Sequence, residues 1–129
     1  MKNLDMFCIC LHDNLLDKVK KLQYVPVGVG SEKFSKDWLL DSTSENISLK
    51  NKFYGEYTFH FWFWKNMLHK IPKDKWIGFC AYRRFWLNEN YTPSNNIYEN
   101  ALNMVPDKWN DYDAIIGDQI HMNGIKWIK

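Results

Sequence analysis

Met6-Phe7-Cys8-Ile9-Cys10-Leu11, then a stretch carrying Leu15, Leu16, Val19 and Leu22, then Tyr24-Val25-Pro26-Val27-Gly28-Val29-Gly30: residues 6–30 decide the fold. The first block is apolar throughout and reads as a buried strand. In Asn14 to Leu22 the leucines and the valine recur at helical spacing, so a helix follows. The third block is rich in β-formers and ends on two glycines, which predicts a strand closing into a loop where backbone can approach a ligand. Strand, helix, strand at this spacing implies a parallel α/β unit.

Outward from that unit, Ser31 to Asn51 is polar and reads as a loop, with Asp41-Ser42-Thr43-Ser44-Glu45-Asn46 dense in turn formers. Lys52 to Lys70 reads as one strongly aromatic helix, apolar on nearly all sides and therefore buried widely, with Pro72 ending it. Trp76 to Cys80 is a third apolar strand, and Ala81 to Phe85 is its carboxyl-terminal mouth. Tyr91 to Asn96 reads as a loop, Ile97 to Met104 as a short helix, and Asp113 to Asp118 as a fourth strand. The whole, residues 1–129, is expected to be a single domain. Because Ile125-Lys126-Trp127-Ile128-Lys129 carries no cap or turn, that domain is expected to continue past it.

Composition bounds the rest. Of 129 residues 17% are aromatic, with seven Trp, seven Tyr and eight Phe, enough apolar area for a well-filled core. Net charge is +2 and the closest thing to a basic cluster, Lys18-Val19-Lys20-Lys21, reads as a solvated helix face, so nucleic acid is not an expected partner. Three cysteines, Cys8, Cys10 and Cys80, without a secretory signal fit a reduced compartment and read as small core hydrophobes. No apolar run approaches the roughly 20 residues that span a bilayer.

The chemistry gathers at Tyr82-Arg83-Arg84. Two adjacent arginines just past a buried strand stand where open parallel sheets bind ligands, and guanidinium forks match phosphate oxygens. In an extended segment the two would point to opposite faces, leaving one for the ligand. Glu56, next to Gly55 on an otherwise aromatic helix, needs a partner, and Arg83 or Arg84 is the expected one. Asn46, Ser48 and Asn51 supply donors and acceptors suited to sugar hydroxyls or a base edge. The acid pair of Asp111-Tyr112-Asp113 precedes its apolar run instead of following it, so it reads as a solvated strand entry; Asp118 is better placed but alone. His12 follows the first strand and is near enough to a sheet-edge ligand to matter, whereas His60 reads as packed among aromatics.

The ordered set Val27-Gly28-Val29-Gly30, Asn46-Ile47-Ser48, Lys50-Asn51, Glu56-Tyr57-Thr58, Trp62-Phe63-Trp64-Lys65-Asn66 and Ile77 to Phe85 resembles the bacterial domain-of-unknown-function 4422 family. Members of that family are commonly described as capsular or exopolysaccharide glycosyltransferases, and the resemblance runs from about Tyr24 to Asp118. Three positions depart from its pattern: Glu45 for an Asp, Leu49 for an acidic residue, and Ala81 for a His. The resemblance implies a Rossmann-type, mostly parallel sheet flanked by helices, of the GT-A class of nucleotide-sugar transferases.

On that resemblance the expected donor and diphosphate site is Tyr82, Arg83, Arg84, Gly28, Gly30, Asn46, Ser48 and Asn51, with Glu56 orienting an arginine and no residue assigned as base. Arginine, in place of an ion, would then neutralise phosphate. No cofactor is expected, although a divalent ion stays open. The partners implied are a nucleotide-diphosphate sugar and a polysaccharide or lipid-linked acceptor, as in capsule, exopolysaccharide or lipopolysaccharide synthesis. The protein is expected in the cytoplasm, at or near the inner face of the membrane. A non-catalytic sugar-binding module and an interaction subunit of a polysaccharide assembly complex are the alternatives.

Overall fold

The computed structural model describes residues 3–93 and 96–118. Four strands, β1 (Leu4–Cys10), β2 (Val25–Gly28), β3 (Leu39–Leu40) and β4 (Trp76–Ala81), form one all-parallel sheet in the order β3-β2-β1-β4. Residues along β1 alternate between two cores. Leu4, Met6, Cys8 and Cys10 face one side, where α1 (Leu16–Lys21) contributes Val19 and the segment 101–105 contributes Ala101, Leu102 and Val105. Phe7 and Ile9 face the other, against Phe59, Trp62 and Phe63 of α3 (Tyr57–Asn66). Period-two alternation with both faces apolar is what a central strand of a covered parallel sheet requires. The α/β expectation therefore holds, with a doubly covered, Rossmann-like sheet.

Four elements differ from the sequence reading. The aromatic helix is broken at Gly55, whose φ of +55° and ψ of −131° no helix can contain; α2 (Asn51–Tyr54) ends there, α3 begins at Tyr57, and Leu68–Lys70 is a separate 3-10 turn. The helix expected over Ile97 to Met104 is one turn long, α4 (Ile97–Asn100), because Ala101 is drawn into an antiparallel bridge with Leu87 and the Leu102 amide donates to the Trp86 carbonyl at 2.8 Å. Asp113 to Asp118 is not a strand. It is irregular, with Ile116 88% exposed, because none of its backbone finds a ladder partner among the described residues. The fourth strand is instead Leu39–Leu40, inside the segment expected to be all loop.

No helix among the described residues is long and apolar enough to cross a membrane. Cys8, Cys10 and Cys80 are buried free thiols, with Cys8 Sγ and Cys10 Sγ 4.0 Å apart on one strand face, in keeping with their reading as core.

Candidate functional site

The order β3-β2-β1-β4 fixes where a ligand crevice opens. The chain leaves β1 through α1 on one face to reach β2, and returns from β3 through α3 on the other face to reach β4. The direction of winding therefore reverses between β1 and β4, and a crevice forms outside their carboxyl ends. A cleft of about 530 Å³ lies there. Its apolar floor is Ile9 of β1 and Phe79 of β4, and its polar lining is Glu56, His60 and Arg84.

The arginine pair is not extended. Tyr82 and Arg83 form the corners of a tight turn closed by the Arg84 amide, which donates to the Ala81 carbonyl at 3.0 Å. That turn separates the two guanidinium groups more decisively than strand alternation would. Arg84 lines the cleft, whereas Arg83 folds back over the ring of Tyr82, 5.1 Å from its centroid. Two further contacts pin the turn: Lys18 Nζ of α1 donates to the Tyr82 carbonyl at 3.3 Å, and Trp86 Nε1 donates to the Phe79 carbonyl at 2.9 Å. Tyr82 itself packs against the α1-side core. Its ring therefore serves the frame.

Glu56 and Arg84 share the cleft without joining. Among the described residues no ion pair links Glu56 to Arg83 or Arg84, so the expected orienting pair does not form. The physical reason is exposure: both groups are solvated, and water screens an attraction that would otherwise draw them together. The cleft thus presents a carboxylate and a guanidinium separately.

His60, read as packing from the sequence, lies one turn beyond Glu56 on α3 and also lines the cleft. Its ring meets the edge of Phe79 at 4.6 Å, yet neither ring nitrogen has a hydrogen-bond partner among the described residues. Burial of this half-buried imidazole pushes its pKa below the usual histidine range, with the Glu56 charge pulling the other way.

The remaining expected residues fall into a second group, at the ends of β2 and β3. Gly28 is constrained by packing, since a Cβ there would sit 2.8 Å from the ring of Phe34. Gly30 has φ +90°, a left-handed conformation that favours glycine, and a Cβ there would meet Asn51 Oδ1 at 3.3 Å. Asn51 Nδ2 donates to the Gly55 carbonyl at 2.8 Å and to Thr58 Oγ1 at 3.1 Å. Thr58 in turn lies 2.5 Å from Asp41 Oδ2, a carboxylate only 2% exposed at the carboxyl end of β3. Desolvation raises the Asp41 pKa and the Thr58 hydroxyl opposes the rise.

Asp41 and Thr58 were not singled out by the sequence. The available signal was an acid directly after the apolar pair Leu39-Leu40, hidden by the turn-forming residues that follow it. Asn46 and Ser48 do not reach this group. The Asn46 side chain donates to the Ser42 and Ser44 carbonyls and accepts from the Ser48 amide and hydroxyl, so its polar groups are used within the loop. His12 is held by Glu32 at 2.7 Å. Asp111, Asp113 and Asp118 are exposed on irregular backbone, and among the described residues no group of three His, Cys, Asp or Glu is arranged to hold a metal ion.

The fold and its crevice define a doubly wound α/β protein with an open cleft at the switch point of a parallel sheet. A family model described as a domain of unknown function, number 4422, matches residues 7–126, and the chain belongs to that family. No curated protein and no solved structure matches it.

Proposed function

We propose that this chain is the donor-binding domain of a glycosyltransferase, taking a nucleotide-diphosphate sugar and passing the sugar to a surface-polysaccharide acceptor on the cytoplasmic side of the membrane. The observation that supports it most is Arg84: an exposed guanidinium without an ion-pair partner among the described residues, fixed by a pinned turn at the switch-point cleft. A cation so placed meets a diphosphate with two charge-assisted hydrogen bonds, and in the transition state it steadies the charge growing on the leaving phosphate. Glu56 and the loop ends of β1 and β2 supply acceptors and backbone for the sugar and the nucleoside.

Calorimetric titration with nucleoside diphosphates and their sugars, with and without a chelator, tests this. Arg84→Ala is expected to weaken binding by about 1.5–3 kcal/mol, the worth of hydrogen bonds to a charged group, and Arg83→Ala by much less. Equal and negligible effects of both substitutions would sink the phosphate role. Loss of binding on chelation would assign the charge neutralisation to a divalent ion. Tight donor binding with no sugar transfer or nucleotide release would favour a binding module over an enzyme.

A further inference from the structure

The cleft holds more than a phosphate-binding group. A sugar transfer needs two charges managed at once: negative charge appearing on the leaving diphosphate, and a proton leaving the attacking hydroxyl. Arg84 suits the first need, and nothing described so far meets the second. His60 stands in the same cleft with both ring nitrogens unengaged among the described residues. We propose that His60 is the catalytic base that takes the proton of the attacking hydroxyl, an inference that rests on the donor-site reading above.

Three observations converge on the imidazole. First, its position is set by backbone: Glu56, the N-cap of α3, and His60 lie one turn apart on the same cleft, and the ring packs edge-to-face with Phe79, centroids 4.6 Å apart. Second, the ring nitrogens of this half-buried imidazole have no hydrogen-bond partner among the described residues and are not sealed from solvent, so they are open to a ligand in the cleft. Third, its environment favours the neutral ring, the form that accepts a proton near neutral pH. The charged and titratable groups around it are Glu56 and Tyr57 at the start of α3 and Arg84 from the turn after β4; Cys80 of β4 also borders the cleft, its thiol packed in the opposite core, and Ile9 and Phe79 bring none.

The step balances without further reagents. The attacking hydroxyl oxygen bonds to the anomeric carbon while its proton passes to the imidazole, and the bond from that carbon to the β-phosphate oxygen breaks. The electron pair leaves with the nucleoside diphosphate, beside Arg84. The imidazolium returns its proton to solvent. Glu56, one turn away, steadies the imidazolium that forms in between.

The test measures donor affinity and turnover separately, on the full chain, with UDP-glucose, UDP-galactose and GDP-mannose as donors and water as the nucleophile. For the donor that binds, His60→Gln and His60→Ala are expected to lower nucleotide release about 100-fold or more while leaving affinity within about twofold. Free imidazole is expected to restore part of the rate to His60→Ala and none to His60→Gln, whose side chain fills the space. The wild-type rate is expected to rise with pH through a midpoint below 6.5, and that limb is expected to vanish in His60→Gln. Circular dichroism of both variants guards against loss of fold. Turnover within threefold of wild type in folded variants overturns the role of His60 alone. Donor binding by the wild type with no turnover does the same. Failure of the wild type to bind any donor sinks the donor-site reading and this inference with it.

Discussion

At the scale of single residues, the two arginines that are adjacent in sequence have different work. A tight turn sends Arg84 to the cleft and Arg83 back over Tyr82, so their substitutions should not be equivalent. Asp41 makes a second residue-level argument. Its carboxyl is 2% exposed and has its pKa raised, first by desolvation and against the Thr58 hydroxyl. A raised carboxyl binds its proton more tightly in the folded chain than in the unfolded one. Its contribution is therefore fully present below the unfolded value of 3.8 and is lost as pH rises through the folded value. Asp41→Asn keeps the shape and removes the charge. The urea midpoint of the variant is expected to gain on wild type as pH rises from 3.8 through the folded value, and to level off above it. A difference that stays constant over that range would refute the assignment.

At the scale of elements, the break at Gly55 organises the site. Because α2 stops there, α3 starts afresh, with Glu56 as its N-cap and Thr58 and His60 in its first turns, at the carboxyl ends of the strands. A Cβ at Gly55 would touch nothing within 4 Å, so Gly55→Ala isolates backbone strain from crowding. The variant is expected to lose about 1–3 kcal/mol in denaturant unfolding, the usual cost of a side chain in such a conformation. A loss below about 0.5 kcal/mol would mean that the chain simply rewinds α2 into α3. This junction also marks the limit of sequence reading. The strands Leu4–Cys10, Val25–Gly28 and Trp76–Ala81 were legible, to within a few residues at their ends, from the apolar runs Met6 to Leu11, Tyr24 to Gly30 and Trp76 to Cys80, since such runs signal a strand covered on both faces. Leu39–Leu40 was not, since a two-residue strand is defined by its neighbour β2 and carries no pattern of its own. Asp113 to Asp118 has strand-like composition, but β propensity is realised only against a partner strand. In the site, Arg84 and Glu56 were visible as charges in apolar company. His60 was not, because its role depends on Phe79 and Arg84, which the fold brings from far along the chain.

At the scale of the whole molecule, the two faces of the sheet meet at the arginine turn. Lys18 belongs to α1, on the face opposite α3, yet its Nζ donates to the Tyr82 carbonyl at 3.3 Å and lies 5.1 Å from the centre of the Phe85 ring. The first βαβ unit therefore holds the turn that follows the last strand. If this contact positions Arg84, Lys18→Met should loosen the turn: the Arg84 amide, bonded to Ala81, should exchange with deuterium several-fold faster, and affinity for a nucleoside diphosphate should fall by about 0.5–1.5 kcal/mol. Lys18→Arg retains a donor and a cation and should largely restore both. Salt separates positioning from simple charge. At about 1 M salt the screening length is near 3 Å, so a deficit caused by long-range attraction for phosphate should disappear, while one caused by a displaced Arg84 should persist. Unchanged exchange at Arg84, together with a deficit that salt abolishes, would make Lys18 one more positive charge near the cleft and not part of its frame.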